Sequence, residues 1–293
     1  MSEEWIVDRI ATIGFFDGVH KGHKFLFRHL DRLARERALT PFIVTFEQHP
    51  RAALQADYIP ALLTTPSERK ALLSAYGEVL MLPFETVQTM TAEAFMTLLR
   101  DTYGVRVLLM GYDHRFGSDR LRRPQDYRRI GEALGIEVIT LSEYVEGEWH
   151  VSSTEIRKAL ESGNIAVAND LLGRAYSISG SVVHGKGLGH KIGFPTANIA
   201  PDDAQQIIPK SGVYAGRLKT ESGTWQAFIN IDEKGIIEAY LPAFEGDLYG
   251  EKATLFLERC LREERHFENV EALKEQIKAD VDNILHPDAH RRG

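Results

Sequence analysis

The ten residues Gly14-Phe15-Phe16-Asp17-Gly18-Val19-His20-Lys21-Gly22-His23 hold the side chains best suited to chemistry on a phosphate. Two imidazoles separated by two residues across a glycine turn put two donors on one oxyanion. The string follows the apolar run IATIGFF and opens a helical pattern, so both histidines fall at a helix start, where free N–H groups favour a phosphate. That arrangement suits a pentacoordinate α-phosphate on which charge builds in the transition state, the situation in nucleotidyl transfer. A lone histidine beside a turn is as often packing or surface filler, but filler does not account for the whole string.

A second constellation runs from Gly185 to Asn198, as Gly185-Lys186-Gly187-Leu188-Gly189-His190-Lys191-Ile192-Gly193-Phe194-Pro195-Thr196-Ala197-Asn198, with four glycines around polar groups. This composition is that of a backbone flap over phosphates. Gly111-Tyr112-Asp113-His114-Arg115-Phe116-Gly117 ends another apolar run, VRVLLMG. Ligands of open α/β sheets bind at that end of a strand. Asp113 is placed there to accept from a nucleotide or flavin hydroxyl, while Arg115 and Phe116 also suit a structural role. Neither a Walker A string nor a G-x-G-x-x-G occurs, which leaves P-loop and dinucleotide folds unsupported.

The elements that position these groups follow from periodicity. IATIGFF, FIVTF, VLML, VRVLLMG and IEVITL read as five strands, with helical spacing over 22–38, 66–76, 91–103 and 124–134 between them. Strands alternating with helices predict an open parallel α/β sheet. The stretch VSSTEIRKALESGNIAVANDLLG has Ser152 and Glu155 at capping-box spacing and Gly163 as a stop, so two short helices close this domain near residue 173. Beyond Ala175 the period shortens. YSISGSVVHG, GVYAGRL, WQAFINI, GIIEAYL and KATLFLERCL predict a small antiparallel barrel, and Val270, Leu273, Ile277, Val281 and Ile284 share one face of a final helix. The expected domains are therefore 1–173 and 174–293.

Composition bounds the setting. A chain of 293 residues fits two domains at roughly 100–200 residues each. Hydrophobic residues at 43% and charged residues at 26% are globular proportions. No long apolar run predicts a membrane span. Lys plus Arg number 35 against 42 Asp plus Glu, a net charge of −7 that argues against a nucleic-acid coat, so phosphate must be met by local geometry. The single cysteine, Cys260, excludes an internal disulfide, and the start MSEEWIVDRI lacks a secretory pattern, so a reducing cytoplasm is expected.

GFFDGVHKGH resembles the HxGH-class nucleotidyltransferase signature in the form carried by prokaryotic bifunctional riboflavin kinase/FMN adenylyltransferases, and the rest of the chain is similar to that family over nearly its full length. Phe46-Glu47-Gln48-His49-Pro50 resembles its F-x-x-H-P segment, LLTT with Pro66-Ser67-Glu68-Arg69 its next turn and helix, and Gly111–Gly117 its G-x-D-F-R-F-G with His114 for the first Phe. Ser152–Arg157 resembles S-S-T-x-I-R, and Gly193–Asn198 resembles the kinase's G-F-P-T-A-N.

The resemblance implies an HxGH nucleotidyltransferase-like α/β domain followed by a riboflavin kinase-like β-barrel with a C-terminal helix. Riboflavin, FMN and ATP are the implied substrates, with Mg²⁺ as cofactor and no nucleic acid or membrane as partner. It makes His20 and His23 stabilisers of the α-phosphate, within a nucleotide site that includes Gly14, Phe16, Asp17, Gly18, Asp113, Ser153, Thr154 and Arg157. In the barrel it implies Gly187, Gly189, Lys191 and Thr196 on ATP, Thr196 and Asn198 on Mg²⁺, and Glu238 as the base on the ribityl 5′-hydroxyl. Asp247, Tyr249, Arg262, Glu264 and Phe267 fall on its flavin side.

Two departures stand out: His190 replaces an Arg, and Asn230-Ile231-Asp232 runs almost directly into Glu238 where the family has N-I-G and a longer loop. A short hairpin through Lys234-Gly235 is sound. The shortening opens a second reading, an FMN adenylyltransferase whose barrel binds flavin without turnover. A more distant alternative is a flavin-sensing or RNA-binding protein on the same barrel.

Overall fold

The computed structural model describes residues 7–55, 57–121, 123–146, 149–185, 193–242, 244–265 and 268–285. It divides into two compact units, one of residues 1–60 with 66–152 and the other of residues 61–65 with 153–293.

In the first unit five strands, β1 (Arg9–Ile13), β2 (Thr40–Phe46), β3 (Glu78–Leu82), β4 (Val105–Met110) and β5 (Glu137–Thr140), form a parallel sheet in the order β3-β2-β1-β4-β5. These are the five strands the sequence predicts; a two-residue antiparallel ribbon, β6 (Val145–Glu146) with β7 (Trp149–His150), follows them. Strand side chains alternate between two apolar layers. Ala11, Ile13, Leu108 and Met110 pack with Phe95, Met96 and Leu99 of α4 (Ala92–Tyr103) and with Tyr127 of α5 (Pro124–Leu134). Ile10, Val107 and Leu109 pack with Leu26, Phe27 and Leu30 of α1 (Lys21–Arg37) and with Leu73 of α3 (Pro66–Leu73). A five-residue helix, α2 (Pro50–Leu54), which the sequence reading omits, follows β2. Helices on both faces make the sheet doubly wound, and its strand order reverses between β1 and β4. Ligands of such sheets bind at the carboxyl ends of the strands at that reversal.

The second unit is a closed antiparallel barrel, β10-β11-β12-β9-β8-β13, built from β8 (Tyr176–Val183), β9 (Thr196–Pro201), β10 (Gly212–Lys219), β11 (Thr224–Ile231), β12 (Ile237–Tyr240) and β13 (Lys252–Arg262). It has six strands where periodicity gives five. The addition is β9, whose Thr-Ala-Asn start reads as loop behind Gly193-Phe194-Pro195 yet pairs with β12 and β8. Helices α6 (Ser153–Glu161) and α7 (Ile165–Leu172), which the sequence reading uses to close the first domain, cluster with the barrel. Asn169 of α7 accounts for part of this, since its Nδ2 donates to the Leu257 carbonyl at 2.8 Å and its Oδ1 accepts from Tyr176 N–H at 2.7 Å. The last helix, α8, spans Val270–Leu285. Among the described residues no helix is long and apolar enough to cross a membrane.

Candidate active sites

In the first unit, the loop after β1 and the loop after β4 leave the sheet at the strand-order reversal. The β1 loop is tightly built. Gly14 N–H donates to the Val44 carbonyl at 3.0 Å, and Thr45 Oγ1 donates to the Phe15 carbonyl at 3.1 Å. A Cβ on Gly14 would lie 2.6 Å from the Phe16 ring and would have to displace it. Phe16 and Val19 hold left-handed backbone at φ 55° and 42°. A β-branched residue there is strained, and such strain concentrates at functional loops.

The turn delivers His20 to the N-cap of α1, where Nδ1 accepts the His23 backbone N–H at 3.3 Å. With Nδ1 an acceptor, the neutral His20 ring carries its proton on Nε2. His23 stacks on it, ring centroids 3.6 Å apart and planes 20° from parallel, and the Phe16 ring meets His23 edge-on at 5.2 Å. The two imidazoles therefore form one rigid pair at the positive end of a helix dipole, as a clamp on an oxyanion requires. Asp17 is buried beside them.

After β4, Asp113 is exposed. Phe116 is fixed by Tyr127, whose hydroxyl donates to its carbonyl at 2.8 Å and accepts its N–H at 3.0 Å. His114 has a buried Nε2 without a hydrogen-bond partner, and burial pushes its imidazole down to about 4. It is a neutral ring at physiological pH.

In the second unit, Ser153 and Thr154 begin α6, and Arg157 Nε donates to the Ala61 carbonyl at 2.5 Å. The barrel's polar side chains meet in a cleft of about 560 Å³. Antiparallel register sets Asn198, Glu238 and Asn230 directly opposite one another on β9, β12 and β11, and all three line the cleft. Asn230 lines the cleft although motif reading alone passes over it; only the register brings it to Glu238.

Thr196 lies two residues from Asn198 on the same face of β9, so a hydroxyl and an amide oxygen project together, hard donors of the kind Mg²⁺ takes in small number. The short hairpin closes without distortion of this row: Asp232 Oδ1 accepts from Lys234 and Ile236 N–H at 2.9 and 2.7 Å, and Gly235 takes the left-handed position at φ 77°. Gly185 lies so close to β9 that a Cβ would meet Asn198 Nδ2 at 2.1 Å. His184 and Tyr249 stack at the surface with centroids 3.8 Å apart, and Asp247 Oδ1 holds the Tyr249 N–H at 2.8 Å.

Arg262 donates through Nε to Asp280 Oδ2 of α8 at 2.9 Å, a pair about a tenth exposed on each side. Glu264 has a buried Oε2 without a partner, a polar atom that suits a ligand. Gly187, Gly189, His190, Lys191 and Phe267 lie outside the described residues.

Comparison with known proteins matches residues 4–155 to the FAD synthetase family model and residues 172–286 to the riboflavin kinase model. Among curated relatives, bifunctional riboflavin kinase/FMN adenylyltransferases are 34% identical over 285 residues in Escherichia coli strain K12, covering 92% of this chain and 90% of that one. The relative in Pseudomonas fluorescens is 34% identical over 299 residues, covering 96% and 94%. The one in Buchnera aphidicola, from Acyrthosiphon pisum, is 32% identical over 286 residues, covering 93% and 91%. A solved structure described as a macrolide-efflux protein from Streptococcus pneumoniae superposes with a TM-score of 0.87 at 30% identity, covering 96% of this chain and 94% of that one. The pairing of both family models in one chain, with near-full-length relatives of the same composite kind, identifies it as a member of the bifunctional riboflavin kinase/FMN adenylyltransferase family.

Proposed function

We propose that this chain makes flavin cofactors in two ATP-dependent steps, with 174–293 phosphorylating riboflavin to FMN and 1–173 adenylylating FMN to FAD. The carrying observation is the row Asn198–Glu238–Asn230, three polar side chains set side by side in the barrel cleft. In the first step Glu238 takes the proton from the ribityl 5′-hydroxyl as its oxygen attacks the γ-phosphorus of ATP, and ADP leaves. Thr196 and Asn198 would hold Mg²⁺, which supplies charge neutralisation on the phosphates. Gly187, Gly189 and Lys191 bind ATP, while Asp247, Tyr249, Arg262, Glu264 and Phe267 bind the flavin.

In the second step a phosphate oxygen of FMN attacks the α-phosphorus of ATP and pyrophosphate leaves. His20 and His23 receive the charge that builds on the α-phosphate. Gly14, Phe16, Asp17, Gly18 and Asp113 shape the nucleotide site, and the family resemblance adds Ser153, Thr154 and Arg157 as nucleotide-binding residues. The substrates are small and cytoplasmic, and no nucleic acid takes part.

Incubation with riboflavin, ATP and Mg²⁺ followed by chromatography tests the reading. FMN and FAD both form if it holds. Conversion of supplied FMN alone would establish the second reading, which the short 232–235 hairpin favours, and absence of FAD from FMN and ATP would refute the assignment of the first domain.

A further inference from the structure

Arg69, the last residue of the Pro66–Arg69 segment, has no role assigned above, yet among the described residues it is the one charged side chain buried to 0% exposure. Its Nη2 donates to the Phe46 carbonyl at 2.6 Å and to the Glu47 carbonyl at 3.3 Å, the last residues of β2 and the turn beyond it. Its guanidinium lies over the Phe15 ring, 4.1 Å from the centroid, and the Phe15 ring in turn meets His49 edge-on at 4.8 Å. Burial pushes Arg69 down to about 10, with the Asp17 charge acting the other way, so it remains a cation at neutral pH.

Nε and Nη1 are buried without a hydrogen-bond partner. A cation kept in the interior with two donors unmet opposes folding, and groups of that kind call for a reason other than stability. The three segments it touches supply one. They are α3, which carries it, and two segments it ties to that helix: the loop that leads from Phe15 to His20, and the end of β2.

We infer that Arg69 is a positioning residue for adenylyl transfer: it locks the Phe15–Asp17 loop to the carboxyl end of β2 and fixes a positive charge beside the turn that presents His20 and His23. The inference rests on the reading of that loop as the adenylylating site. A loop in left-handed strain at Phe16 and Val19 keeps its shape only while its surroundings over-determine it. Arg69 reaches it from outside by the ring face of Phe15 and by charge on Asp17, two contacts that no apolar side chain of equal volume reproduces.

The test is steady-state FAD formation from FMN, ATP and Mg²⁺ by full-length Arg69→Met, Arg69→Gln and Arg69→Lys, with FMN formation from riboflavin measured on the same preparations. Expected for Arg69→Met is a fall in kcat of about 10- to 100-fold with KM for ATP and FMN little changed, since misplacement of a reacting geometry acts on the transition state. Arg69→Lys recovers part of the loss through its charge, and FMN formation stays at the wild-type rate.

Should Arg69→Met fail to fold, Arg69→Gln, which keeps one donor for the Phe46 carbonyl, is expected to show the same fall. A kcat within about twofold of wild type in whichever neutral variant folds overturns the proposal. So does a loss in Arg69→Lys equal to that in the neutral variants, or an equal loss of FMN formation. A wild-type chain that makes FMN but no FAD overturns the reading of the site itself, and is told apart by occurring before any substitution.

Discussion

His114→Phe tests whether the β4 loop is built around a neutral ring. The wild-type imidazole titrates at about 4 because burial strips the charged form of water. In the unfolded chain it titrates near 6.5, so below that pH the unfolded state takes up a proton that the folded state refuses. The stability this group supplies is fully present above pH 6.5 and is lost as pH falls toward 4. Linkage gives about 3 kcal/mol over the whole range, of which ~2 kcal/mol disappears between pH 7 and pH 5.

Phenylalanine fills similar space, does not titrate, and removes a ring nitrogen that has no partner. Urea unfolding of both proteins at pH 7 and pH 5 isolates the effect, because other groups cancel in the difference of differences. The variant is expected to lose about 2 kcal/mol less than wild type on acidification and to retain FAD formation further into the acid range. Equal acid sensitivity of the two proteins, within about 0.5 kcal/mol, refutes the buried neutral imidazole.

Two further outcomes follow from the geometry. Gly185→Ala sets a methyl group 2.1 Å from Asn198 Nδ2, and should lower FMN formation by about tenfold while FAD formation from FMN is unchanged, read by product chromatography. Asp280→Ala removes the carboxylate facing Arg262 in a pair that is about a tenth exposed, and should destabilise the barrel by roughly 3 kcal/mol in urea unfolding. If that loss is under about 1 kcal/mol, the pair is not anchoring α8.

The sheet was legible because its strands are apolar runs of the length buried parallel strands require, separated by helical periods. The loop after β1 was legible because its histidines, glycines and aspartate are rare together. β9 was not: its first residues are small and polar, with a Pro just before and another at its end, and strand character came only from pairing with β8 and β12. Arg69 was hidden for a related reason. In PSERKALL it stands between Glu68 and Lys70, and its burial is set by Phe15 and Phe46, distant in sequence. Asn230 was visible as a residue but not as a site, since its place beside Glu238 is a matter of register. The two short helices after Ser152 were legible as helices, while their clustering with the barrel involves a long-range contact, Asn169 to Leu257, that local sequence does not show.

The central claim is that one chain carries two separable chemistries, and product analysis of His23→Ala beside Glu238→Gln tests it most directly. His23→Ala is expected to convert riboflavin to FMN at the wild-type rate and to make no FAD. Glu238→Gln should make FAD from supplied FMN while FMN formation falls by about 10²- to 10⁴-fold, the contribution of a positioned general base. Loss of both products in either folded variant, or of neither, would contradict the account.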